Sequence, residues 1–360
     1  MEGSQMRQLA ITLVVAFIAS ACAGTAAPSP SPSVSATAAA SPTVAKATCQ
    51  PTSVKIAVPV TPPNVVHLPP YVAQELGYFK DENLTVELVR FEGGVGALKA
   101  MVAGGVNLAG TSTEPVVNAI SQGVEVKVVG SYAPNISQVF AVRGDIIKAP
   151  ADLKGKRIGI QEAGAFADAL SRAYLNKIGI DAKDVQFVRT TTAGRVEELR
   201  NPAGSVDTAI LHVDQVLTVK KTAPNVAALA NMWEVLGDYQ YSVYAVPSKE
   251  VTSPTTECML RAIMRANRAM YETSLRARIL DMAVRETKED RDVVEAAYKS
   301  LEAGKAWPQN EMVVRKNVEG TVQSLLDNKQ IDKTVAFDQI VDLTLANRIV
   351  IQLGKKEFPY

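Results

Sequence analysis

Two histidines, His67 and His212, are the only ones in 360 residues, and both sit where a hydrophobic run gives way to polar residues. Asp214 lies two positions beyond the second. Between them the chain carries a hydroxyl run, Thr111-Ser112-Thr113 in "GTSTEP", and two glycine-rich turns. The first turn is "FEGGVG" with Gly93 and Gly94; the second is "QEAGAF" with Gly164, Ala165 and Phe166. Amide side chains stand at Asn64, Asn135 and Gln161. Hydroxyls and unpaired backbone N–H groups at the start of a helix suit an anionic or polar ligand group. Pro115 fits the first turn of such a helix. The same hydroxyls also serve as helix caps, so one of Ser112 and Thr113 is expected to cap and the other to meet a ligand. Asp214 has two uses as well: holding a cationic or hydrogen-bonding substituent, or capping the helix before "QVLTV". Loop histidines more commonly satisfy local partners than contact a ligand. Phe166, Trp233, Tyr239 and Tyr241 could line a cleft or pack a core.

Several chemistries are excluded. "FEGGVG" lacks the Gly-Lys-Ser/Thr ending of a nucleotide loop, so ATP is not expected there. Three cysteines and two histidines argue against a metal site, and no cofactor is expected. No Ser-His-Asp order, His-x-x-Glu pair or Cys beside His marks a catalytic site. With formal net charge +1 and no Lys/Arg run, the chain has no nucleic-acid footprint.

The elements that position these residues are written twice. "GGVNLAG" at 104–110 and "GSVDTAI" at 204–210 share a Gly-x-Val-Asn/Asp-x-Ala phrase. "KIAV" is echoed by "RIGI", and "VELVRFE" by "VQFVRTT" 99 residues later. The order strand, helix, strand, helix, strand recurs, which predicts an α/β protein of two similar lobes with mainly parallel sheets. Extended runs at 138–144 and 241–250 read as hinge strands joining the lobes. The expected organisation is lobe 1 over 53–141, lobe 2 over 142–245, and a return hinge with a helical C-terminal region over 246–360. In open α/β sheets ligands bind beyond the carboxyl ends of the strands. That selects six loops facing one cleft: 61–67, 91–96, 111–114, 133–137, 161–166 and 212–215.

The N-terminus is not part of this fold. A basic residue, Arg7, precedes an apolar run of about ten residues, too short to span a bilayer and long enough for a secretory signal. "ASAC" resembles the lipobox of bacterial lipoproteins, with Ala19 where Leu is usual. This resemblance implies a signal peptide over 1–21 and a lipidated Cys22. The Ala/Pro/Ser-rich stretch to residue 52 is expected to be a disordered tether between membrane and folded body. With Cys22 lipidated, Cys49 and Cys258 are left either as one disulfide or as two free thiols, and spacing does not decide between them.

The string from "PPYVAQELGYFKDENLTVELVRFEGG" through "VVGSYA", "FAVRGD", "IKAPADLKGKRIGI" and "VDTAILHVDQV" resembles the substrate-binding proteins of ABC importers for nitrate, sulfonates, taurine and thiamine pyrimidine precursors. His212 and Asp214 stand where many relatives carry an aromatic and an acidic residue. The resemblance implies a periplasmic-binding-protein-like clamshell that closes on a small solute and delivers it to a permease and its ATPase. Together with the lipobox-like "ASAC" and the tether, the expectation is a monomer anchored by lipid to the outer face of the bacterial cytoplasmic membrane. An enzyme related to thiamine-pyrimidine synthases is the alternative, but those carry a cysteine-rich iron motif that is absent here. A sensory module of the same fold would need a DNA-binding or transmembrane continuation, and the sequence has neither. With no arginine placed in the predicted cleft, a bare sulfonate or nitrate is mildly disfavoured against a neutral or aromatic solute such as a pyrimidine.

Overall fold

A computed structural model describes residues 48–310 and 313–357; the signal, Cys22 and nearly all of the tether lie outside the described residues. The first β-branched run forms β1 (Thr52–Val58). It is followed by α1 (Pro69–Glu75), β2 (Leu84–Arg90), α2 (Gly94–Val102), β3 (Leu108–Ser112), α3 (Thr113–Ser121) and β4 (Val126–Gly130). The second pass comprises β5 (Val139–Arg143), β6 (Arg157–Ile160), α4 (Phe166–Lys177), β7 (Gln186–Arg189) and α5 (Gly194–Arg200). It continues through β8 (Thr208–Leu211), α6 (Val213–Thr222), β9 (Val226–Asn231), α7 (Met232–Leu236) and β10 (Ser242–Pro247).

These strands form two five-stranded sheets, ordered β2-β1-β3-β10-β4 and β7-β6-β8-β5-β9. The two orders are the same pattern. In each sheet the first three strands are parallel, and a fourth enters antiparallel between the third and the fifth. The inserted strand comes from the crossing. β5 follows the passage out of the first sheet, and β10 follows the return from the second. The runs expected to be hinges are therefore sheet strands, and the connections lie just before them, around 131–138 and 232–241. β3 and β8 are buried along their whole length, as strands covered on both faces must be.

The C-terminal region supplies α8 (Pro254–Ala269), α9 (Arg276–Thr287), α10 (Arg291–Ala303), α11 (Arg315–Asp327), α12 (Phe337–Ile340) and α13 (Thr344–Leu353). It has no sheet of its own, so its apolar faces must find the lobes. α8 packs on α1 and α13, α10 on α6 of the second lobe, and α11 on α3 and α4. No helix among the described residues is long and apolar enough to cross a membrane.

A disulfide joins Cys49, just ahead of β1, to Cys258 in α8, with the Cα atoms 6.5 Å apart. It closes a separation of 209 residues and fastens the helical region to the first lobe. Beside it the fully buried Arg261 pairs with Glu82 at 2.7 Å and Glu257 at 2.9 Å, so the guanidinium charge is compensated. A cross-link of this span restricts the unfolded chain strongly. Replacing both cysteines by alanine is therefore expected to lower unfolding stability by about 2–4 kcal/mol in urea titrations. An unchanged midpoint and slope would contradict this role.

Candidate functional site

The carboxyl ends of both parallel sets face one seam, and the two histidines meet there. Their ring centroids lie 5.3 Å apart, although the residues come from different lobes. His67 closes a short turn after β1, and His212 ends β8 directly before α6. Tyr241, just ahead of β10, stands between them with its hydroxyl 3.1 Å from His67 Nε2. Phe166, the first residue of α4, packs on the same tyrosine at 4.6 Å, and Tyr132 stacks against His67 at 5.2 Å. Five segments separated in sequence thus build one aromatic patch.

Protonation at this patch follows from burial. His67 is driven down to about 3, and His212 well below the ordinary imidazole value. Loss of hydration is the main cause, and for His212 the neighbouring His67 and then the Arg195 charge add to it. Both rings are therefore neutral at physiological pH. Gln138 takes the Ser137 N–H on Oε1 and donates from Nε2 to His212 Nδ1 at 3.0 Å. The neutral His212 ring then carries its proton on Nε2.

Asp214 links the lobes. Its Oδ2 accepts the Asn64 side-chain N–H and the Val65 backbone N–H, each at 3.1 Å. All these groups are buried, and desolvation raises the carboxyl to about 6, leaving it mostly ionised at neutral pH. Asp214 is thus spent on the opposite lobe, and Asn64 keeps its Oδ1 without a partner.

The hydroxyl run behaves differently from the capping expectation. Ser112 occupies the N-cap position of α3 but makes no side-chain cap, and its buried Oγ has no partner. Thr113 reaches the Tyr241 carbonyl at 3.4 Å instead of capping. Thr111 donates to the Gly94 carbonyl at 2.9 Å. A Cβ on Gly94 would stand 2.4 Å from Thr111 Oγ1, so only glycine lets α2 start against β3. Gly93 and Gln161 approach each other closely and both line a cavity of about 440 Å³, together with Glu92, Glu162 and Thr191. Gln161 donates to Thr192 at 3.2 Å and leaves Oε1 unpaired. Gly164, at φ +74°, gives its N–H to Asp168, and Ala165 is the extended residue before α4. Asn135 does not join the histidines. It accepts from Asn317 and, with Tyr239, lines a separate cavity of about 370 Å³ whose wall includes the 42% exposed Trp233.

Two seam residues, Tyr132 and Arg195, lie outside the loops expected from the sequence, and Glu114, inside the 111–114 loop, is not singled out there. Glu114 is fully buried at the start of α3, accepts the Tyr239 hydroxyl at 2.7 Å and keeps Oε2 unpaired. Arg195, the second residue of α5, is fully buried with none of its guanidinium nitrogens paired. A signal for it existed. Shifted by the 99-residue repeat, the Gly96 turn of lobe 1 falls on Arg195, so the loop after β7 was a seventh candidate.

Burial pushes the Glu114 carboxyl up to about 7 from its ordinary 4.5, with the hydrogen bond from the Tyr239 hydroxyl opposing the shift. The folded protein therefore holds a proton there that the unfolded chain gives up above pH 4.5. That stabilisation is complete at low pH and is lost as pH rises through about 7. Glu114→Gln abolishes the titration. Relative to the wild type it should gain on the order of 2 kcal/mol above about pH 8 and nothing comparable near pH 5, measured by urea unfolding. An equal loss at both pH values would refute the assignment.

Residues 64–276, more than half of the chain, match the family model described as NMT1/THI5 like. A Haemophilus influenzae protein named "Putative thiamine biosynthesis protein" is 32% identical over 126 residues, covering 35% of this chain and 40% of that protein. The Bacillus subtilis protein named "Putative binding protein YtlA" is 21% identical over 321 residues, covering 85% of this chain and 93% of its own length. The solved alkanesulfonate-binding protein SsuA from Xanthomonas axonopodis pv. citri superposes with TM-score 0.66 at 18% identity, over 81% of this chain and 99% of that one. Two lobes of matching strand order around a shared seam, together with these matches, assign the chain to the NMT1/THI5-like family with a periplasmic-binding-protein-like fold.

Proposed function

We propose that the protein is the exported, lipid-anchored solute receptor of an ABC importer, taking a small organic solute into the seam and passing it to a permease and its ATPase. One observation carries the reading. Most of the buried polar atoms without partners among the described residues belong to elements at the seam: Asn64 Oδ1, His67 Nδ1, Ser112 Oγ, Glu114 Oε2, Gln161 Oε1 and the Arg195 guanidinium. Native interiors pair such groups, and leaving several unpaired in one place costs more than a fold retains without a return. A solute that hydrogen-bonds to both lobes supplies the partners and favours the closed arrangement. The names of the Bacillus and Xanthomonas relatives point to solute binding as well. The thiamine-related name of the Haemophilus relative supports the alternative of a pyrimidine-synthase-type enzyme. Lipidation of Cys22 and action as a monomer belong to the receptor proposal.

Thermal-shift and calorimetric titration with organic sulfonates, carboxylates, nitrate, amines and pyrimidines test it. A cognate solute at a hundred times its Kd should stabilise the protein by about 2.7 kcal/mol. Consumption of any compound without stabilisation would favour the enzyme instead. The Asp214 bond to Asn64 and Val65 yields a further expectation. Asp214→Ala should weaken solute binding about 10- to 100-fold by freeing the lobes, because hydrogen bonds to a charged group contribute about 1.5–3 kcal/mol. It should also enlarge the radius of gyration in X-ray scattering. Unchanged affinity and size would show that Asp214 does not fasten the lobes.

A further inference from the structure

We infer that the solute is an organic anion, and that Arg195 is the residue that selects it. The inference rests on the receptor reading above and narrows it to a substrate class. Arg195 follows the carboxyl end of β7 and has no exposed surface. Its stem crosses β6 over Gly159, where a Cβ would come within 3.3 Å of Arg195 Cγ and 3.2 Å of Val206. The glycine therefore provides the passage along which the arginine runs. Its charge acts on both His212 and Tyr241, so it lies within electrostatic reach of the aromatic patch. None of its three nitrogens has a hydrogen-bond partner, and among the described residues no carboxylate pairs with it.

An uncompensated buried charge costs several kcal/mol, so the structure requires a counter-anion. The seam does not supply one. Asp214, although ionised, is held by Asn64 and Val65, and Glu114, pushed up to about 7 by burial, is held by Tyr239; neither hydrogen-bonds to Arg195. Burial lowers Arg195 only to about 10, so it remains a cation at neutral pH. The missing negative charge must arrive with the solute. A guanidinium presents a planar fork of donors, which fits a carboxylate, sulfonate or phosphonate through two parallel hydrogen bonds. Gln161 Oε1 and Ser112 Oγ remain to meet polar atoms on the body of the solute, and Tyr241, Phe166 and Tyr132 offer it flat apolar contact. This reverses the expectation of a neutral ligand, which rested on the apparent lack of an arginine in the cleft.

The test uses matched pairs of equal shape: benzenesulfonate with benzenesulfonamide, benzoate with benzamide, and propanesulfonate with propanesulfonamide. Wild type, Arg195→Gln and Arg195→Lys are titrated with each. The wild type should bind at least one anion 100-fold or more above its amide. Arg195→Gln should erase that preference, and Arg195→Lys should retain part of it. Without solute, Arg195→Gln should melt at the same temperature as the wild type or higher, since it removes an unpaired buried charge. Binding of only neutral compounds, or an anion preference that survives Arg195→Gln, would overturn the inference while leaving the receptor reading intact. A lower melting point of the solute-free Arg195→Gln protein would also overturn it, by exposing a structural pairing. Absence of any binding across this panel and the broader one would overturn both.

Discussion

The constraint on which the rest of the structure depends is the burial of a positive charge with nothing to neutralise it. A folded protein keeps only a small margin of stability, and an unpaired guanidinium in a dry interior consumes much of it. Such a group persists where a solute returns the lost energy on binding. Arg195 is therefore less a flaw in packing than a measure of what the seam is built to receive. Around it the two histidines are neutral, Glu114 is bonded to Tyr239 and the ionised Asp214 is held by Asn64 and Val65, so none of these groups pairs with the guanidinium.

The fold makes this arrangement possible by repetition. Two sheets of the same strand order each direct their parallel strand ends at the other lobe. Because β5 and β10 each insert into the sheet reached after a crossing, the connections are short and begin at the seam itself. Tyr241 lies on the return connection and touches both histidines and Phe166, so a change in lobe angle must disturb the aromatic patch. Asp214 bridges the same gap from α6 to the turn after β1. Under the receptor proposal, binding and closure would be one event, read by residues from both lobes.

Much of this was legible from the chain. The repeated Gly-x-Val-Asn/Asp phrase marks the entry to β3 and β8, the central strands of the two sheets. His67 and His212 could be placed on facing loops because strand ends are where α/β proteins expose chemistry. What escaped depends on tertiary geometry. Asp214 looked like a ligand contact or a cap, and only the approach of the Asn64 turn shows that it holds the other lobe. Ser112 looked interchangeable with Thr113 until the Tyr241 carbonyl engaged one of them and left the other unpaired. Cysteine spacing left the Cys49–Cys258 link open, since nothing local says that α8 returns to β1. Arg195 reads as an ordinary helix-surface arginine in "AGRVEELR", and its burial follows from Gly159 on another strand.

The most direct measurement is a crystal structure of the protein with the tightest-binding organic anion. The account predicts that compound between the lobes, its acidic group paired to Arg195 and its body against Tyr241 and Phe166. The same compound resting instead in the cavity of about 690 Å³ lined by Val95 and Leu98 of the first lobe, Gly164 and Arg172 of the second, and Lys329, with the Arg195 guanidinium still unpaired, would contradict it.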